Sequence, residues 1–440
     1  MLDVLKHRVY ARLFLAQAIA LLGTGLLSIA LGLLAFDLAG GQAGSVLGTA
    51  YAIKMLAYVG LSPVASAMVT RLPRKAVLII ADLIRGGTAL FLPFIDAVWQ
   101  IYLVIFVLQA ASATFTPAFQ ATIPDVLKDE RDYTKALSLS RLLYDMENLI
   151  SPALAGFLLT LVSFHWLFGG TVIGFAGSAA LVAATSFPLM KNGAGTRPFR
   201  QRLTRGLRIY LATPRLRGLL ALNLTAAAAG AFVIVNTVLI VRVGYDVGDR
   251  YVAYALAAYG AGSMSAALLL PRLLERIKER PIMVVSGFLL AGLTIGHGAY
   301  LAVFGLASWP VFLVIWALSG GFYSAILTPS GRLLRHSSHS EDRPALFAAQ
   351  FALSHLCWLI TYPIAGWVGQ LFGLPAALAL LGAIALLGAI WALRIWPAGD
   401  SREVTHAHPD LPPDHPHLRQ YGDGHGRHRH VFVIDDEHTA

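Results

Sequence analysis

Residues 13–36 read LFLAQAIALLGTGLLSIALGLLAF, a run without one charged side chain. A helix that crosses a bilayer needs roughly 20 mostly apolar residues, because hydrocarbon offers its backbone no other hydrogen-bond partner. Runs of this kind recur along the chain. They fall near 11–36, 43–69, 76–95, 98–118, 136–162 and 167–189, then near 216–242, 251–271, 281–305, 308–330, 344–369 and 373–396. The pattern predicts an all-α membrane protein of twelve transmembrane helices. Composition points the same way: 57% of the 440 residues are hydrophobic and 13% charged, where soluble domains carry about 25% charge. Mean hydropathy is +0.65. The N-terminal MLDVLKHRVYARLF runs into the first apolar stretch without a small-residue cleavage site, which reads as a first spanning helix rather than a signal peptide. Cys357 stands alone, so no intrachain disulfide can form.

The formal net charge is +10, but the basic residues form no aromatic-interleaved patch and nucleic acid is not an expected partner. They mark short loops instead. Lys6, Arg8 and Arg12, then Arg71, Arg74 and Lys75, then Lys128 and Arg131 fall on one side, as do Arg272, Arg276, Lys278, Arg280, Arg332, Arg335, Arg343, Arg394 and Arg402. The opposite loops hold Arg250 beside Asp37, Asp96, Asp246 and Asp249. Cytoplasmic loops collect Lys and Arg, so both termini are expected in the cytoplasm, with the chain in the cytoplasmic (inner) membrane. Between the two sets of spans, FRQRLTRGLRIYLAT alternates basic and apolar residues at helical spacing and reads as a surface helix.

The two sets repeat. Ser151-Pro152-Ala153-Leu154-Ala155-Gly156 mirrors Tyr362-Pro363-Ile364-Ala365-Gly366, and Thr116-Pro117 mirrors Thr328-Pro329, with the prolines recurring at an offset of 211–212 residues. Two parallel six-helix repeats imply a pseudo-twofold axis along the membrane normal, with the ligand held between pseudo-symmetric halves near midplane. The expected units are an N-terminal half (1–189), a basic linker (190–215), a C-terminal half (216–396) and a tail (397–440).

With these features the chain resembles the major facilitator superfamily. Ser66-Ala67-Met68-Val69-Thr70-Arg71-Leu72-Pro73-Arg74-Lys75 is similar to that family's G-x-x-x-D-R-x-G-R-[RK] gating loop: Arg71, Arg74 and Lys75 match, while Thr70 replaces its aspartate. Asp82-Leu83-Ile84-Arg85 and TFTPAFQATIPDVL (114–127) resemble segments of one exporter branch. The family's R-x-x-x-Q-G would put an arginine at Ile105, and none is there. The resemblance implies the major facilitator fold, a secondary transporter rather than an enzyme, no cofactor and a monomer in the bilayer. No G-x-x-x-x-G-K-[ST] for ATP occurs.

Charges inside spans are costly, about 2.5–3.5 kcal/mol each at the bilayer centre, and so are functional candidates. Asp82 and Arg85, at i,i+3, can neutralise each other as a structural or coupling pair. Lys54 in the second span is a counter-ion or a titrating group. The fifth span holds Asp145, Glu147 and Asn148, and His355 lies at matching depth in the eleventh. At about 100° per residue, Glu147 and Asn148 share one face with Ser151, and His355 centres the equivalent face. Carboxylate with imidazole suits nickel, cobalt, zinc or iron rather than cuprous ion. The bland reading pairs the carboxylates with Lys54 and makes His355 a packing residue. His297 stands alone in its span and reads as structural.

The tail carries His406, His408, His415, His417, His425, His428, His430 and His438 among Asp, Gly and Pro. It holds too little apolar surface to fold a core, while His-x-His pairs with carboxylates chelate divalent metals. Some exporters of the superfamily that confer nickel or cobalt tolerance are similar in having such a tail. The combined expectation is an exporter of a divalent transition metal, nickel or cobalt first, running on proton antiport. The alternatives are an exporter of a drug-like or siderophore-like organic solute, and a membrane-bound metal buffer or sensor.

Overall fold

A computed structural model describes the chain apart from residues 1, 70–72, 128, 130–131, 134–135, 137–138, 141–142, 144–149, 152, 187–198, 339–341, 400–402, 408–426 and 432–440. Long apolar runs become helices because only a helix satisfies every backbone group within the segment. The first four are α1 (Arg8–Ala39), α2 (Ala43–Val69), α3 (Arg74–Phe91) and α4 (Val98–Val126). After them come α5 (His165–Ala183) and a surface helix α6 (Phe199–Ala212). The second set is α7 (Pro214–Leu239), α8 (Asp249–Leu274), α9 (Glu279–Phe304) and α10 (Trp309–Leu327). The last helices are the short α11 (Ser330–His336), α12 (Arg343–Pro363) and α13 (Leu374–Ile395).

Ten stretches among the described residues are long and apolar enough to span, and the first, Arg8–Leu61, contains α1 and most of α2. They therefore account for eleven of the twelve expected crossings. The remaining one, expected at 136–162, lies partly outside the described residues.

The expected span at 308–330 stops early. Thr328 ends α10, and Pro329, which has no N–H to continue the ladder, precedes a separate helix, α11. Both α7 and α12 widen into one π-helical turn at their far ends, at Ile240–Gly244 and Ile364–Val368. Pro363 sits where the second widening begins. The tail, expected without structure, contains one antiparallel ribbon in which β1 (Glu403–Ala407) pairs with β2 (Arg427–Val431). Val404, Thr405 and Val431 supply β-branched positions that suit a pleated strand.

Within the first set, α1 packs on α5, and α3 on α4 and α5; within the second, α8 packs on α10, and α7 and α9 on α13. Across the two sets, α2 packs on α12 and α7. That seam is closest at the end of the bundle where α1 hands over to α2. A Cβ on Gly366 would collide with the Gly44 carbonyl, and one on Gly48 would lie 2.7 Å from the Tyr362 carbonyl oxygen. The seam is also hydrogen-bonded, Trp367 Nε1 donating to Thr49 Oγ1 at 3.1 Å and, between α7 and the π turn of α12, Asn236 Nδ2 to the Ala365 carbonyl at 3.0 Å. Overpacking costs about 1–3 kcal/mol, so Gly366→Leu should depopulate this closed seam roughly 5- to 100-fold. Cysteine cross-linking between positions 48 and 362 reads the change; unchanged cross-linking would mean the helices do not need this approach.

At the opposite end α6 is tied down. Arg205 Nε and Nη2 donate to the Asp342 carboxylate at 2.6 and 3.0 Å, and the Tyr210 hydroxyl donates to Gln350 Oε1 at 2.5 Å. A bidentate guanidinium–carboxylate pair fixes direction as well as distance. The basic linker helix is thereby clamped to the start of α12.

Candidate functional site

Two helix faces meet along the seam between α2 and α12. On α2, Tyr51, Lys54 and Tyr58 recur at i, i+3 and i+7, the spacing of one helical face. On α12, Phe351, His355, Trp358 and Tyr362 recur at i, i+4, i+7 and i+11. The rings interlock: Tyr51 lies 5.0 Å from Tyr362, Trp358 is 5.0 Å from Tyr362, and Tyr58 stands 5.7 Å from Phe351 and 5.2 Å from His355. Tyr323 on α10 and Tyr259 on α8 extend this ladder, with centroids 6.2 Å (Tyr323 to Trp358) and 5.9 Å (Tyr259 to Tyr323) apart. Each such pair contributes about 0.5–1.5 kcal/mol beyond burial.

His355 is set chemically. Its Nδ1 lies 2.7 Å from the Phe351 carbonyl oxygen, and a carbonyl can only accept, so Nδ1 carries the proton. In the neutral ring Nε2 then keeps its lone pair, and among the described residues no hydrogen-bond partner takes it. The Phe351 ring lies tilted against the imidazole, with centroids 4.0 Å apart. Lys54, partly buried on the facing helix, adds its positive charge to this surrounding.

The remaining candidates of this constellation, Asp145, Glu147 and Asn148, lie outside the described residues. Ser151, three residues beyond Asn148, is buried, and among the described residues its hydroxyl has no hydrogen-bond partner. Cys357 is buried with Sγ against the Leu353 carbonyl at 3.4 Å.

Asp82 and Arg85 form a contact ion pair on α3, both buried. Ser178 on α5 donates to the second carboxylate oxygen at 2.7 Å. The guanidinium is sandwiched between Phe115 of α4 and Phe175 of α5, 4.1 and 4.4 Å from their centroids. The pair and its neighbours thus bring α3, α4 and α5 together. Of the gating-loop candidates, Arg71 lies outside the described residues, and Arg74 opens α3. Lys75 Nζ donates to the Thr185 carbonyl at 3.0 Å, tying the start of α3 to the end of α5.

In the tail, His406 and His428 are register partners, and His430 pairs with Val404. His408, His415, His417, His425 and His438 lie outside the described residues. Among the described residues no group of three or more His, Cys, Asp or Glu side chains is gathered as a metal cage.

The aromatic partners were not anticipated from sequence. Their only local signal is the ring spacing in 351–362; that Tyr51 and Tyr58 face them is a contact across some 300 residues.

Residues 13–303 match the family model described as Major Facilitator Superfamily. The uncharacterized MFS-type transporter YfiS of Bacillus subtilis is 23% identical over 337 residues, which cover 74% of this chain and 78% of that protein. Macrolide efflux protein A of Streptococcus pyogenes is 24% identical over 321 residues, covering 71% and 78%. In three dimensions the chain is similar to a D-xylose–proton symporter (TM-score 0.67, 12% identity, 88% of this chain and 98% of that one). It is equally similar to a bacterial homolog of the human lysosomal transporter Spinster (TM-score 0.66, 14% identity, 88% and 97%).

Proposed function

Because the chain belongs to the Major Facilitator Superfamily, a transporter family, we propose that it is a secondary exporter that removes a divalent transition metal, nickel or cobalt foremost, from the cytoplasm in exchange for protons. One observation carries the metal reading. The imidazole of His355 is anchored through Nδ1 to a backbone carbonyl and offers Nε2 at the seam between α2 and α12. Metal-binding histidines are held in this way, since the second-shell bond fixes both tautomer and ring direction. The charge of Lys54 opposes a bare dication here, so Asp145 and Glu147 must join the site to make its net charge favourable. Asn148 adds a neutral oxygen donor. Protons drive export by competing for the same carboxylates and imidazole, because the protonated forms bind no cation.

The similarity to macrolide efflux proteins supports outward transport. Placement of Lys and Arg supports an inner-membrane chain with both termini cytoplasmic. The tail then lies on the side from which ions are taken, and its eight histidines support a role in collecting them by tethered local concentration.

Uptake of radiolabelled nickel and cobalt into inverted vesicles tests the reading. Uptake should require an acid-inside gradient and collapse with a protonophore. Gradient-independent background levels for both ions would sink it.

A second reading has its own support. The ladder Tyr51–Tyr362–Trp358–Tyr323–Tyr259 is a lining that suits a flat or amphiphilic organic solute, and the same vesicles loaded with erythromycin address it. Deleting 398–440 separates both exporters from a metal buffer or sensor. An exporter keeps most of its transport, whereas a buffer loses its effect entirely.

A further inference from the structure

The repeat offset of 212 residues that relates Pro117 to Pro329 also relates Arg85 to His297, and Asp82 to Thr294. The starts of α4 at Val98 and α10 at Trp309 lie within one residue of it. The two positions share an environment. Arg85 lies between Phe115 and Phe175; His297, on α9, lies between Phe232 of α7 and Trp316 of α10, with centroids 6.3 and 5.5 Å away. Each half of the molecule thus places one basic group between two aromatic rings from neighbouring helices.

The difference lies in the counter-charge. In the first half Asp82 and Ser178 hold a permanently charged guanidinium. In the second, threonine replaces the aspartate, and its hydroxyl is spent on the Leu290 carbonyl at 2.8 Å. His297 is 8% exposed, and among the described residues its ring nitrogens meet no hydrogen-bond partner. Beside it lies a cavity of about 10 Å³ lined by His297, Thr294, Ser319, Trp316 and apolar side chains including Leu378 of α13. That is room for about one water. The Trp316 N–H is committed to Thr237 Oγ1 at 2.8 Å, and the Ser319 hydroxyl to the Ile315 carbonyl at 2.8 Å. What remains facing the cavity is acceptor capacity: hydroxyl lone pairs and an imidazole. Among the described residues lining it, from α7, α9, α10 and α13, none is charged and His297 is the one titratable group.

We propose that His297 and the adjoining cavity form a water-linked proton site, a second place, besides the carboxylates and His355, at which a proton that drives transport is held. It rests on the reading of the chain as a proton-driven exporter. The neutral ring accepts from the water. On protonation both ring nitrogens carry a proton, and the one facing the cavity donates to the water and so on to the free hydroxyl lone pairs, with aromatic rings on either side. The first half therefore holds a charge that cannot leave, and the second holds one that can. Phe232 sits on α7, which also packs against α2 across the seam, so this site lies one helix away from the seam between the two sets.

Two measurements test this in the full chain. In lipid nanodiscs with nitrogen-labelled histidine, one ring signal, missing in His297→Gln, should show contact with a slowly exchanging water and titrate reversibly on acidification. A ring that is dry, or silent down to the pH of unfolding, overturns the proposal whatever the chain transports. In inverted vesicles, with nickel and erythromycin as probes, His297→Gln should keep probe-for-probe exchange but lose gradient-driven accumulation roughly tenfold or more, a cost of about 1.4 kcal/mol. Gradient-driven accumulation at the wild-type level also overturns it. If the wild-type chain accumulates neither probe, it is the exporter reading that fails, and the nanodisc titration still decides on His297. Should His297→Gln not insert, Ser319→Ala takes its place, with a displaced titration midpoint expected and an unmoved one counting against the site.

Discussion

His355→Phe should abolish gradient-driven nickel uptake in inverted vesicles while leaving membrane insertion intact. The choice of phenylalanine matters. It keeps an aromatic ring between Tyr58 and Phe351, so the ladder persists, but it removes Nε2. Loss of a group that merely orients a metal ligand costs about 10–100-fold in affinity, and loss of the ligand itself should cost at least as much. Glu147→Gln should behave alike, since a neutral amide no longer balances the dication against Lys54. Erythromycin separates the readings. If the α2–α12 seam serves an organic solute, His355→Phe transports it at nearly the wild-type rate. Nickel uptake surviving in both variants would refute the metal site.

Asp82→Asn should be the most destabilising single change in the first half. It leaves the Arg85 guanidinium buried between Phe115 and Phe175 without its carboxylate, and breaking a buried pair in this way costs about 3–5 kcal/mol. Thermal unfolding followed by size-exclusion chromatography in detergent should show a markedly lower midpoint. The double variant Asp82→Leu with Arg85→Met should recover most of the loss, because buried pairs are often replaceable by apolar side chains of similar volume. A double variant as unstable as Asp82→Asn would mean that the pair positions helices in a way packing alone cannot. Nickel uptake in the double variant adds a functional readout. Near-normal uptake marks the pair as a joint, whereas loss at full stability would mark it as part of coupling.

What was legible in the sequence follows from which interactions are local. Helix runs such as 13–36 are legible because span length and apolarity are properties of consecutive residues. The Asp82–Arg85 pair is legible because i,i+3 positions adjoin on any helix. The stop at Thr328-Pro329 is written in proline chemistry, although the expected span ends three residues beyond Leu327. By contrast, Ser178 reaches Asp82 over 96 residues, and nothing near Asp82 announces it. The ring ladder was missed for a related reason: aromatic side chains in a membrane helix face lipid as readily as a partner, so the spacing in 351–362 marks a stripe without saying what covers it. His297 was read as a lone packing residue because its kinship with Arg85 emerges only once the repeat offset is laid over the two aromatic sandwiches. The β1–β2 ribbon joins strands that composition alone described as structureless.

The π turns at Ile240–Gly244 and Ile364–Val368 bear on how this chain tolerates insertions and deletions. A π turn is an α turn with one surplus residue. Deleting a single residue there would restore ordinary helical winding, and whatever follows would swing by about 100° around the axis. In α12 this would turn Gly369–Phe372 away from Asn236, against which Gly369 now lies. Sequence length within these two five-residue windows is therefore an angular setting, so one-residue gaps should be far more damaging there than in the connecting loops.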